Sequence, residues 1–270
     1  MARYFVSALL LLLSITAQAV PSPDRWSYWD KTDKKSELAV DHSMWQRFLD
    51  RYVKHSESME MYMVEYGRVK KSDKEALDVY LKSLAGQDPR KLNRSEQLAY
   101  WINLYNALTV DLILDYYPVK SITKLGKGWF RMGPWRDELI TIAGQKISLH
   151  DIEHRILRPI WNNPRIHYAL NCASIGCPDL LPDVYQGESI DEQLDAAARR
   201  FINQRKGASF VSGRLVLSSI FDWYEDDFVD EDNVMKELKT FASGDLKKKL
   251  EDYRGRTSYR YNWKLNEYRP

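Results

Sequence analysis

Between Asn93 and Pro118 the chain is committed to one long helix. Asn93 followed by Glu96 has the form of a capping box, which opens a helix by satisfying its first free N–H groups. Leu98, Trp101, Ile102, Tyr105, Leu108, Leu112 and Ile113 then recur at helical spacing, and Pro118 marks the end. A helix over about 94–117 with such a stripe must be covered by other elements. Met44, Trp45, Phe48, Leu49 and Tyr52 share one face of a helix over 42–54. Ser72 and Glu75 suggest a second capping box, for a helix reaching Leu84 before Gly86, Asp88 and Pro89. Ser148 with Asp151 resembles an acidic cap for a helix over about 149–158, and 189–203 is amphipathic. Residues 219–252 read as helical in pieces.

The strand signals are short. Met61, Met63 and Tyr66 suggest an extended piece. Ala143-Gly144-Gln145 and Ser212-Gly213 each lie between apolar runs, as hairpin turns do. Ile166 to Asn171 reads as a strand, Tyr259 to Leu265 alternates like a last one, and 119–137 reads as a long surface loop. The sum is an α+β chain, a helix-rich single domain around a small antiparallel sheet.

The N-terminus reads as an export signal. Arg3 precedes an apolar stretch with five consecutive leucines, Leu9 to Leu13, and Ala17-Gln18-Ala19 matches the small-x-small pattern of a cleavage site. The run is shorter than the roughly 20 apolar residues that span a bilayer, so no stable membrane insertion is expected. The expected organisation is a signal peptide over 1–19, a polar flexible lead-in over 20–40 containing Pro21 and Pro23, and one globular domain over 41–270. The expected location is periplasmic or secreted. Lysine and arginine total 40 against 38 aspartates and glutamates, interspersed along the chain. That balance argues against a nucleic-acid partner. The chain has no G-x-x-x-x-G-K-[ST] or G-x-G-x-x-G motif, so no nucleotide cofactor is expected. Nine tryptophans and seventeen tyrosines suit a core whose rings also reach a cleft rim.

Chemistry-bearing residues concentrate in one stretch. Both cysteines, Cys172 and Cys177, and three of the five histidines fall between His150 and Cys177. A thiol needs a neighbour that stabilises its thiolate before it acts as a nucleophile, so clustered cysteine and histidine are candidates for that work. On an unbroken strand His167 and Cys172 point to opposite faces, which leaves His154 as the better base. Glu153 lies ~100° round the helix from His154 and orients it only if the backbone bends there. Asn103, Asn106 and Asn171 are polar candidates for substrate or oxyanion contact. Two other readings of the cysteines stay open. An exported protein meets an oxidising compartment, where Cys172 and Cys177 form a disulfide round the Gly176 turn. Zinc is the other, but the spacing with distant histidines is not standard, and no metal is expected. His42 and His55 read as solvated surface residues.

These residues carry a resemblance. Tyr100-Trp101-Ile102-Asn103-Leu104-Tyr105-Asn106-Ala107, then Leu149 to Arg158, then His167-Tyr168-Ala169-Leu170-Asn171-Cys172 with Gly176-Cys177-Pro178, resemble the domain of unknown function 547 family. The closing Tyr261-Asn262-Trp263-Lys264-Leu265-Asn266 is similar to that family's terminal segment. The resemblance implies kinship with papain-like and transglutaminase-like thiol folds and a Cys-His-Glu site, which falls here on Cys172, His154 and Glu153. The family's second cysteine matches Cys177 and is serine in some members, which favours Cys172 as the reactive one. The expectation is a thiol-dependent hydrolase or acyltransferase acting through a thioester on a peptide, protein or glycan. Its alternatives are a non-catalytic envelope protein that binds such a partner, and a redox protein cycling Cys172 and Cys177.

Overall fold

The computed structural model of the chain describes residues 23–126, 133–228 and 231–270. The expected signal peptide lies outside the described residues. Helix α1 spans Ser43–Tyr52 and runs into a hairpin of β1, Val53–Ser56, and β2, Met61–Val64. Helix α2 spans Lys71–Ala85 and α3 Arg94–Asp115. A second hairpin pairs β3, Ile140–Ile142, with β4, Gln145–Ile147. A π-helical segment, Asp151–Leu157, continues into α4, Arg158–Trp161. Helix α5 spans Ile190–Asn203. Strands β5, Ala208–Val211, and β6, Arg214–Ser218, form a third hairpin. Short α6, Ile220–Trp223, then α7, Glu231–Phe241, and α8, Gly244–Glu251, lead to β7, Ser258–Arg260, which adds to β6 in parallel. The result is a helix-rich α+β domain. Among the described residues its strands form three small sheets rather than one, and of the pairings between these strands only β6–β7 is parallel.

Helix α3 is the axis of the larger core. Asn93 Oδ1 accepts from Glu96 N–H at 3.0 Å, as the sequence suggests. Every residue from Glu96 to Val110 is buried, so the helix is enclosed on all sides instead of presenting one stripe. A smaller cluster forms where α5, α7 and α8 close over β5 and β6, around Phe201, Leu217 and Phe221. Leu181 packs against both clusters.

Three expectations need correction. The described part of the lead-in packs onto the domain and does not stand apart from it: Trp29 is fully buried against Trp101, and Asp24 and Trp26 donate backbone hydrogen bonds to the carbonyls of His154 and Arg155. Helix α2 starts at Lys71 with no side-chain cap, so the Ser72 box is unused. Residues 166–171 are not a strand. Pro164 stands at the start of a 3-10 helix, Pro164–Tyr168, whose first turn is capped when Asn163 Oδ1 accepts from Arg165 N–H. Proline at the first helical position and asparagine before it favour a helix start, and they override the apolar run that follows.

Candidate functional site

The two cysteines form a disulfide across a tight loop. Asn171, at the loop's entrance, is fully committed to building it. Its Nδ2 donates to Pro178 O at 2.7 Å, and its Oδ1 accepts from Ala173 N–H at 3.0 Å and from Asn266 Nδ2 at 3.3 Å. Ala173 adopts a left-handed conformation, φ 57°, that costs a non-glycine residue roughly 1–2 kcal/mol. The C-terminal strap holds the loop in that shape: Ile175 and Gly176 donate to the carbonyls of Lys264 and Asn262, and Asn266 donates to Ala173 O. The approach is close enough that a Cβ on Gly176 would lie 2.7 Å from Asn262 N and 3.0 Å from the Tyr261 ring.

That strap delivers Tyr261 to the sulfurs. Its hydroxyl lies 3.1 Å from Cys172 Sγ, 3.2 Å from Cys177 Sγ and 3.0 Å from Ser174 Oγ. Ser174 Oγ also reaches Cys172 Sγ at 3.3 Å. Disulfide sulfurs only accept, so these hydroxyls are the donors. Burial, opposed by the hydrogen bond to Ser174, leaves the Tyr261 hydroxyl well above its usual pKa and protonated. Cys172 N–H donates to Cys177 Sγ at 2.8 Å. Cys177 is buried, whereas Cys172 is half-buried. Half-buried rings of Trp223 and Trp263 pack on Tyr261 at 4.7 and 4.5 Å between centroids, and Trp135 meets Trp263 edge-on at 5.8 Å.

The histidines and acids form a hydrogen-bonded set of their own, near enough that the Glu153 charge acts on Tyr261. Ser148 and Asp151 exchange hydrogen bonds in the expected cap and start the π-helical segment. There Arg158 N–H bonds back five residues to Glu153 O. Glu153 does not orient His154. Its Oε2 accepts from Tyr105 at 3.1 Å and its Oε1 from Tyr224 at 2.5 Å. Burial would raise the Glu153 pKa, but its electrostatic interaction with the His154 and His167 rings and the Tyr224 hydroxyl brings it below the ordinary value. His154 is held instead by Arg158, whose Nη1 lies 2.7 Å from His154 Nδ1. A guanidinium only donates, so Nδ1 accepts and the imidazole is neutral with its proton on Nε2. Burial, then the Arg158 charge, lowers its pKa to about 4 against the opposing pull of Glu153. His167 Nε2 donates to Asp227 Oδ2 at 2.6 Å. Arg158 pairs with both oxygens of Asp227, through Nε at 2.5 Å and Nη2 at 2.9 Å. Burial raises the Asp227 pKa, but these two partners hold it well below the carboxylate range. His167 therefore stays off the sulfurs because Asp227 claims it, not because a strand alternates.

Residues 89–202 match the family model described as "Protein of unknown function, DUF547". The chain carries a DUF547 domain. No curated protein and no solved structure matches the chain. The matched part of the DUF547 domain supplies Cys172, Cys177, His154, Glu153 and Arg158. Tyr224, Asp227 and Tyr261 come from beyond it and complete both groups. Asn103 and Asn106 serve the frame: Asn103 pairs both ways with the Tyr185 backbone, at 2.7 and 3.1 Å. Asn106 joins Ala169 O to Asn171 N–H, at 3.0 and 2.8 Å. Sequence reasoning placed Cys172 and His154 in one site and missed Arg158, Tyr224, Asp227 and Tyr261. Arg158 had a usable signal, since it follows His154 by one helical turn. Asp227 is far along the chain and offered none, and Tyr261 stood out only as part of the closing Tyr261–Asn266 motif, with nothing to tie it to the sulfurs.

Proposed function

We propose that this DUF547 protein is an exported thiol–disulfide exchange protein whose reactive centre is the Cys172–Cys177 pair. One observation carries the reading: Cys177 Sγ receives the Cys172 N–H and lies within reach of the Tyr261 hydroxyl, while Cys172 is the more accessible sulfur. In the first step a substrate thiolate attacks Cys172 Sγ. The Cys172–Cys177 bond breaks and its electron pair leaves on Cys177, where those two donors stabilise the thiolate. The substrate's second thiolate then attacks its own sulfur in the mixed disulfide and releases Cys172. The substrate dithiol becomes a disulfide, the protein gains two thiols, and a second disulfide compound restores the oxidised form. The half-buried tryptophans beside Tyr261 offer a surface for the peptide around the substrate thiol. An oxidising compartment, the periplasm or the exterior, suits such a pair, and no helix among the described residues is long and apolar enough to cross a membrane.

Acyl transfer, the other thiol chemistry considered, needs a base at Cys172. The partners of that sulfur, besides Cys177, are two hydroxyls, Ser174 and Tyr261. Exchange accounts for this arrangement more directly. The test is to mix oxidised protein with a reduced peptide bearing two cysteines. Peptide disulfide should form in step with protein thiols, and Tyr261→Phe should slow the reaction while leaving its products unchanged. Failure of the peptide to oxidise, or hydrolysis of a thioester by the reduced protein, would overturn the assignment in favour of the acyl-transfer reading or of a binding role.

A further inference from the structure

A cavity of about 800 Å³ opens between α1, the first turn of α3 and the entry to α5, independent of the disulfide. Four carboxylates line it, from Glu37, Asp41, Glu96 and Glu188, and no lysine or arginine does. The whole chain is nearly balanced, with a formal net charge of +2, so this concentration of negative charge is local. Asp41 and Glu96 have structural work. Asp41 accepts from Ser43 N–H at 2.8 Å. Buried Glu96 accepts from Val40 N–H at 2.7 Å and from Gly187 N–H at 3.2 Å. Gly187 is pressed so close to α3 that a Cβ would lie 2.7 Å from Glu96 Cα. Glu37 and Glu188 are exposed and, among the described residues, neither makes an ion pair or a side-chain hydrogen bond. The starts of α1, α3 and α5 lie at the cavity and contribute roughly +0.5 charge each, which still leaves about 2.5 negative charges from the four carboxylates.

The second observation is His42, which read from sequence as a solvated residue. It is 6 % exposed and lines the cavity. Its Nδ1 is fixed to the Tyr80 hydroxyl at 2.5 Å, on the core side, and its Nε2 is buried without a partner. Burial, only partly opposed by Asp41, lowers its pKa to about 4, so the ring adds no positive charge to the cavity at neutral pH. A buried polar atom left unpaired is costly, and a ligand atom that reached it would recover a hydrogen bond.

We propose that this cavity binds a small organic cation, its ammonium groups facing Glu37 and Glu188 and a hydrogen-bonding atom meeting His42 Nε2. The volume is that of a small-molecule site and far exceeds what one metal ion fills. Among the described residues no group of three or more histidine, cysteine, aspartate or glutamate side chains is placed to hold a metal.

The test is calorimetric titration of the full mature protein with spermidine at low salt. Binding should weaken about tenfold or more in Glu37→Gln/Glu188→Gln, a substitution of two exposed residues that leaves the fold intact, and should weaken as salt screens the carboxylates. The remote pair Asp245→Asn/Glu251→Gln on α8 should bind as the unaltered protein does. Absence of binding at millimolar spermidine, equal affinity in the cavity variant, or equal loss in the remote variant would each overturn the proposal.

Discussion

The cysteines and three of the histidines lie in one contiguous part of the sequence, yet the sulfur centre and the histidine cluster are built on different principles. Cys172, Cys177, Ser174 and Tyr261 are joined by neutral donors, with Cys172 and Tyr261 half-buried and Cys177 and Ser174 buried. Glu153, His154, Arg158, His167 and Asp227 form a buried polar set: Arg158 and His167 hold Asp227, Arg158 donates to neutral His154, and two tyrosine hydroxyls hold Glu153. Neutral donors around a half-buried disulfide can support a sulfur that gains charge during exchange. Buried charges that already satisfy one another have little freedom to do so, and they hold the frame. The comparison divides the labour: chemistry at the sulfurs, stability at the cluster.

The largest expected effect comes from breaking the cluster. Arg158→Met removes the bidentate partner of Asp227 and the donor to His154 at a side chain that is 3 % exposed. An uncompensated buried charge costs about 3–5 kcal/mol, so urea unfolding should show a loss of that order. If the variant retains native structure at low urea, its disulfide should still exchange with reduced peptide. Loss of exchange in a folded Arg158→Met protein would break the division.

A smaller effect should appear on acidification. The His154 pKa is about 4 in the fold against about 6.5 in the unfolded chain, so the unfolded state takes up the proton first. This contribution to stability is fully present above pH 6.5 and is lost as pH falls towards 4. It amounts to about 3 kcal/mol. His154→Gln should remove that share of the slope between pH 6.5 and 4, measured as unfolding free energy at stepped pH. His42, depressed to about 4 by burial, should keep its own share in the variant.

The sulfurs should matter least to stability. A cross-link over so short a loop restricts the unfolded chain by only about 2 kcal/mol. Cys172→Ser/Cys177→Ser should lose that much in urea and should leave the acid slope of His154 unchanged. A loss as large as that of Arg158→Met would make the disulfide a structural staple.

The long helix, the two hairpins beside Gly144 and Gly213, and the cap at Ser148 were legible because local signals decide them. Residues 166–171 were not, since the asparagine–proline start outweighed an apolar run that suits strand and helix alike. The site was half legible. Cysteines and histidines crowd one stretch of sequence, but which atoms meet depends on residues brought from elsewhere. Tyr261 reaches the sulfurs only because the C-terminal strap pairs with residues 173–176. Asp227 claims His167 and Arg158 from a different segment altogether. Asn103 and Asn106 read as site residues because buried amides are conspicuous, and a backbone partner satisfies them as well as a substrate would.

The most direct measurement is trapping of the mixed disulfide. Cys177→Ser and Cys172→Ser proteins, each reduced and then mixed with a peptide disulfide, would be followed by intact-mass spectrometry. The account predicts rapid accumulation of a covalent peptide adduct on Cys172 in the first protein and slow or absent reaction at buried Cys177 in the second. Faster capture at Cys177, or no adduct on Cys172, would contradict it.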